Sequence, residues 1–102
     1  MSRLTVTEAE SEVLAALWRK GQQASKSLVS EVQARNDWGE ATIKTLLGRL
    51  MRKGAVRSDR VEGLQRYSAA VSRADYVRGE VGALTARLYG GDRQALLDDL
   101  AD

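Results

Sequence analysis

A chain of 102 residues with 43% hydrophobic and 29% charged side chains has the composition of one ordinary globular domain, with room for a short appendage. It contains neither histidine nor cysteine, which excludes zinc fingers, imidazole bases, thiol nucleophiles, disulfides and thiol switches. The remaining carboxylates, Lys, Tyr and Ser form no recognisable catalytic constellation, so no enzyme, cofactor or metal site is expected. No apolar run approaches the roughly 18 residues needed to span a bilayer. The opening MSRLTVTEAESE turns acidic at once and has no signal-peptide core, so a cytoplasmic protein without membrane contact is expected.

The net charge of +2 is unevenly spread: residues 1–70 carry +4 and residues 71–102 carry −2. Between Lys44 and Arg57 lie five cations and no acid. Such a stretch suits a polyanion partner, and equally a solvated helix face.

A first helix is predicted from Thr7 to about Lys20. Thr7 and Glu10 form a capping box, Val13, Leu14 and Leu17 an apolar face with Ala9 and Ala16 as fillers, and Gly21 a stop behind Arg19 and Lys20. After a connection at Gln22–Ala24, Ser25 is the expected N-cap of a second helix from about Lys26 to Arg35, with Leu28, Val29 and Val32 facing inward. Asn36–Asp37 signals a turn.

The third helix, Glu40 to Lys53, is the most informative. Trp38 before its Gly39 cap can staple onto Ile43, and Ile43, Leu46, Leu47, Leu50 and Met51 follow one apolar stripe. At about 100° per residue the opposite side carries Ala41, Thr45, Gly48 and Arg52, flanked by Thr42, Lys44 and Arg49. Small residues let a backbone approach a groove floor, while neighbouring Lys and Arg reach base edges or phosphates.

Beyond Gly54 the period changes. Val56–Val61 alternates as a strand, Glu62–Gly63 is a turn, and Leu64–Ala69 runs back. Three helices followed by a hairpin is the order of a winged helix-turn-helix. The hairpin tip, with Arg60, Gln65 and Arg66, is the expected wing, and the same hairpin caps the open side of the core. The fold class is thus mainly α with a small β-hairpin: a winged-helix DNA-binding domain over 1–70 and a helical dimerisation region over 71–102. In that region Ser72 and Asp75 signal a helix start. Tyr76, Val77, Val81, Leu84 and Leu88, then Leu96, Leu97 and Leu100 beyond the Gly90–Gly91 break, supply a seam for a second copy or for folding back on the domain. Trp18 and Trp38 are read as core rather than as stacking platforms.

Four stretches resemble the penicillinase repressor family of bacterial regulators, which also takes in repressors of methicillin resistance and copper transport. They are Leu4 through Thr7–Glu8–Ala9–Glu10 to Trp18, Trp38 through Thr42–Ile43–Lys44–Thr45 and Arg49 to Lys53–Gly54, Glu62–Gly63 with Tyr67–Ser68, and Ser72 with Tyr76. The resemblance implies a homodimeric repressor that binds a palindromic operator in double-stranded DNA. Helix 40–53 would be its recognition helix, with Thr42, Lys44, Thr45 and Arg49 carried over by their match as DNA-facing; Ala41, Arg52 and Lys53 join them as candidates from their place on the helix, and Ser25, Lys26, Gln65 and Arg66 would lie towards the backbone. The chain departs from the family at Gly39, where relatives carry Ser or Thr, and at Glu40, where they carry a non-acidic residue. It has neither the Asn–Phe cleavage pair of the penicillin-responsive members (Asp99–Leu100 aligns best) nor the cysteines of the copper-responsive ones. The family's signal, inducer or protease, therefore does not carry over, and a smaller dimer interface is expected where relatives continue with another helix. The alternative is a winged-helix protein-interaction module, favoured by the modest charge and Glu40.

Overall fold

The computed structural model describes residues 5–101; Leu4, with which the resemblance begins, lies outside them. Helix α1 spans Glu8–Lys20. Its N-cap Thr7 and Glu10 close the reciprocal capping box, the Glu10 amide donating to Thr7 Oγ1 at 3.1 Å and the Thr7 amide to Glu10 Oε1 at 2.9 Å. Gly21 ends the helix at φ 77°, a left-handed value that glycine adopts without a Cβ clash.

The segment expected as a plain connection pairs instead. Gln23–Ala24 is a two-residue strand, β1, and α2 follows at Ser25–Gln33. This corrects the expected cap: Ser25 is the first helical residue, and the N-cap Ala24 makes no side-chain hydrogen bond. Gln23 explains the shift. Its buried side-chain amide donates to the carbonyls of Ala16 and Gly21 at 3.1 and 3.2 Å, and its oxygen accepts from the Ser27 hydroxyl at 3.0 Å. One residue therefore joins the end of α1 to the start of α2, and a buried amide so paired costs little to hold inside.

Helix α3 spans Glu40–Arg52 behind Gly39. Strands β2, Val56–Val61, and β3, Leu64–Ala69, form the hairpin, and β1 adds to the far side of β3, giving an antiparallel sheet of order β1-β3-β2 rather than a hairpin alone. The register pairs Val61 with Leu64 across Glu62–Gly63. Both turn residues have positive φ, 52° and 81°, the signature of a type I′ turn, whose twist matches that of the strands.

The core gathers Val13, Leu14 and Leu17 of α1, Leu28, Val29 and Val32 of α2, Ile43, Leu46, Leu47 and Leu50 of α3, and Ala55 and Val56. Trp18, Trp38 and Tyr67 pack on its edge, and Trp18 Nε1 donates to the Val71 carbonyl at 2.9 Å. Met51, expected on the buried stripe, is exposed, because it stands at the margin of the arc that α1 and α2 cover.

The chain divides after Ser72 into two units. The second holds α4, Arg73–Tyr89, and α5, Arg93–Leu100. Gly90 and Gly91, at φ 58° and 88°, separate them, and Asp92 caps α5 by accepting from the amides of Gln94 and Ala95. Tyr89 Oη donates to Asp99 at 2.9 Å. Among the described residues no helix is long and apolar enough to cross a membrane.

Glu62 is the only non-glycine residue with positive φ among those described. Asn tolerates this region better, so Glu62→Asn is expected to raise stability by about 0.5–1 kcal/mol, read as a rise in the thermal midpoint; a fall would show that the glutamate side chain stabilises the turn.

Candidate nucleic-acid interface

Helix α3 buries one side and presents the other. Ile43 and Leu50 are fully buried, whereas Ala41, Thr42, Lys44, Thr45, Arg49 and Arg52 are all exposed. The outer line is narrow. Thr45 Oγ1 donates to the Ala41 carbonyl at 3.0 Å, which ties the hydroxyl back to the helix and leaves its oxygen free to accept. At Gly48 an added Cβ would stand 3.6 Å from Arg52 Nη1, so the guanidinium lies back along the glycine and keeps the ridge low.

The cations of this region are not equivalent. Lys44 Nζ lies 2.9 Å from Glu40 Oε2, one helical turn earlier. The hydrogen bond and charge of Lys44 hold the Glu40 carboxyl below its ordinary range. Ser25, Lys26 and Val29 of α2 join these two in lining an open cleft of about 310 Å³ between the helices. Lys26 therefore faces the same cleft as Lys44.

Lys53 departs from the sequence reading. Its ammonium donates to Glu10 Oε1 at 2.5 Å, and Glu10 is only 1% exposed. Burial pushes the Glu10 carboxyl up, but the Lys53 hydrogen bond, the Thr7 amide and the Lys53 charge outweigh it and hold the group below its ordinary value. Lys53 thus neutralises an interior carboxylate while its own side chain stays 33% exposed. Among the described residues Arg49, Arg52 and Arg57 enter no ion pair. They are the guanidinium groups that the basic stretch leaves available.

In the hairpin, Arg60 Nη1 donates to the Gly63 carbonyl at 2.9 Å and Gln65 to the Ser58 hydroxyl at 3.0 Å. Both side chains stiffen the tip from the surface. Arg66, paired in register with Ala24 on one side and Asp59 on the other, is half-buried, and its Nε meets no acceptor. Among the described residues no three acidic side chains are placed to hold a metal ion.

In the second unit Val77, Leu88, Leu97 and Leu100 are exposed, and Tyr76, Val81 and Leu84 half-buried. Leu96 is the exception in the expected seam: at 7% exposure it is already buried within the single chain, so a second copy has little of it left to cover. Thr85, absent from the expected seam, is buried and satisfies its hydroxyl on the Val81 carbonyl at 2.6 Å.

This arrangement has known counterparts. The family model described as "Penicillinase repressor" matches residues 6–102. The chain belongs to the penicillinase repressor family. It is 32% identical over 95% of its length to an uncharacterized protein of Latilactobacillus sakei, of which it covers 66%, and 26% identical over 97% of its length to the penicillinase repressor of Staphylococcus aureus, of which it covers 79%. The solution structure of monomeric Bacillus licheniformis BlaI in complex with the blaP half-operator superposes at a TM-score of 0.65 with 26% identity, over 74% of this chain and 94% of that one. The fold is that winged helix, mostly helical with a small three-stranded sheet.

Sequence reasoning named the exposed side of α3 but missed that Glu10 is buried and that Lys53 pairs with it. The Glu10 signal was present, since a capping-box glutamate followed by an apolar face starts at the core's rim. Nothing local pointed to Lys53, which is 43 positions away. Lys53→Met would leave the buried Glu10 carboxylate without its counter-charge, with only the Thr7 amide donating to it. We expect a loss of about 3 kcal/mol at neutral pH, measured by denaturant unfolding. Because the folded Glu10 pKa is depressed, its contribution is present above the unfolded carboxylate range and is lost as pH falls through the folded value. Lys53→Met leaves burial opposed only by the Thr7 hydrogen bonds, so the loss of stability on acidification should weaken or reverse; a variant as stable as the parent at pH 7 would remove the pair from the fold's supports.

Proposed function

We propose that this protein is a sequence-specific DNA-binding transcriptional repressor whose helix α3 enters the major groove. The observation that carries the reading is the outer side of α3: a low ridge of Ala41, Thr45 and Gly48 bordered by Thr42, Lys44, Arg49 and Arg52, on a helix whose inner side is seated in the core. Membership of the penicillinase repressor family, and similarity to a domain solved on a half-operator, support it.

In this reading Thr42 and Thr45 contact base edges through hydroxyl oxygen or methyl, and Arg49 and Arg52 read guanine or hold phosphate. Ser25 and Lys26 at the start of α2 present free amides and an ammonium to the backbone, where helix N-termini favour anions. The stiffened hairpin sets Gln65 and Arg66 along the flanking strand. Residues 1–70 form the DNA-binding domain, and repression follows from occupying the promoter.

Residues 71–102 mediate homodimerisation, so that two copies meet the two halves of a palindromic operator. The support is the exposed apolar set Val77, Leu88, Leu97 and Leu100, which water would otherwise solvate at a cost.

Arg49→Ala should weaken binding to a duplex selected from a random pool by about tenfold while leaving the thermal midpoint unchanged. Loss of both together would assign Arg49 to the fold instead. A chain that is not retained on DNA at any salt concentration would overturn the function itself, since phosphate contacts strengthen as salt is lowered. For the dimer, the double variant Leu88→Asp, Leu97→Asp changes side chains that are 61% and 54% exposed, so the fold should persist. Sedimentation should then show monomers with weakened binding to the full site and unchanged binding to a half-site; an unaltered sedimentation profile would refute the interface.

A further inference from the structure

Glu40 is an acid at the leading end of the helix that faces a polyanion. It is the first residue of α3, it is 63% exposed, and its only ion-pair partner among the described residues is Lys44, itself 53% exposed. A carboxylate in the first turn stabilises a helix through the macrodipole, and the bare Gly39 cap gives that role some use. It does not explain why the carboxylate should neutralise a lysine that lines the cleft.

Building on the reading of α3 as the recognition helix, we propose that Glu40 and Lys44 act as one specificity-determining unit that selects a single G·C base pair. In the free protein each satisfies the other across 2.9 Å. The pair lies in water on both sides, so it is screened and opens readily. It opens profitably only where a partner replaces both halves. A phosphate can accept from Lys44, but it repels Glu40, so binding that rests on the DNA backbone alone is penalised. A base edge can do both.

The edges differ in how well they fit. In the major groove guanine offers two adjacent acceptors, O6 and N7, and its cytosine offers the N4 donor at the outer side of the pattern. Lys44 donates to the guanine pair while Glu40 accepts from the cytosine amine, with no acceptor beyond that amine. An A·T pair places its one donor, adenine N6, between the N7 and thymine O4 acceptors. A carboxylate reaching N6 there meets oxygen and nitrogen lone pairs on both sides. Glu40 and Lys44 are one turn apart on the same side of α3, with the small Ala41 and Thr45 beside them, so neither is shielded from a groove floor. The unit trades affinity for discrimination: it gives up the uncompensated charge of Lys44 and gains rejection of wrong sites.

The experiment uses the full chain, its Glu40→Gln variant and its Lys44→Met variant, each selecting from a random duplex pool and then titrated against the selected duplex, its single-position substitutions and an unrelated duplex. The wild type should select a half-site with an invariant G·C pair and reject substitution there by at least about tenfold. Glu40→Gln should relax that position to within about threefold, leave the other positions unchanged, and bind the unrelated duplex several-fold more tightly. Lys44→Met should relax the same position without the gain on unrelated DNA. Thermal midpoints separate this from a helix-capping role, which would lower stability and leave base preference intact. Either variant selecting the wild-type site with undiminished discrimination overturns the proposal while α3 remains the reading helix; a wild type that selects no sequence overturns the function on which it rests.

Discussion

The Glu10 carboxylate is the interaction on which the placement of α3 depends. It closes the capping box that starts α1, and it lies inside the core margin, where an unpaired charge would be costly. The ammonium of Lys53, the cap residue at the end of α3, meets it. The beginning of the first helix is thereby tied to the end of the third. An exchange of Lys53 for an apolar side chain would not simply remove a contact, because the carboxylate would still have to be buried or the helix start released. A buried ion pair adds little net stability over an apolar pair, but it fixes which ends meet.

With that end held, the rest of α3 is positioned by shape. Ile43, Leu46, Leu47 and Leu50 fill the space between α1 and α2, and close packing leaves the helix no second rotational setting. The outer side is then determined as well: Ala41, Thr45, Gly48 and Arg52 point outward because the stripe opposite them points in. Gln23 performs the matching task at α2, pinning its start to the end of α1 while β1 ties it to β3. The two helices that border the cleft are thus each anchored by one buried polar group.

Electrostatics at the surface follow from the same economy. Of the five cations between Lys44 and Arg57, one is neutralised by a buried acid and one by an exposed acid a turn away. Of those five, Arg49, Arg52 and Arg57 enter no ion pair among the described residues. Guanidinium groups have rigid, forked donors that suit both guanine edges and phosphate.

Much of this protein is written locally. The Thr7–Glu10 box, the glycine stops at Gly21 and Gly90–Gly91, the stripe of α3 and the Glu62–Gly63 turn all follow from rules that operate over a few residues, and the sequence alone places them. The Glu40–Lys44 pair is local too, since residues four apart are neighbours on a helix surface. Three features were decided only by tertiary structure. Gln23–Ala24 became a strand because β3 offered it an edge, Leu96 went inside because α5 turns back at the glycines, and Lys53, though still exposed, pairs with the buried Glu10. In each case the partner is distant in sequence, and the cost of an unpaired amide, apolar side chain or carboxylate appears only once folding has removed the water around it. The exposed side of α3 was therefore legible from its spacing, whereas which of its charges enter ion pairs with buried groups was not.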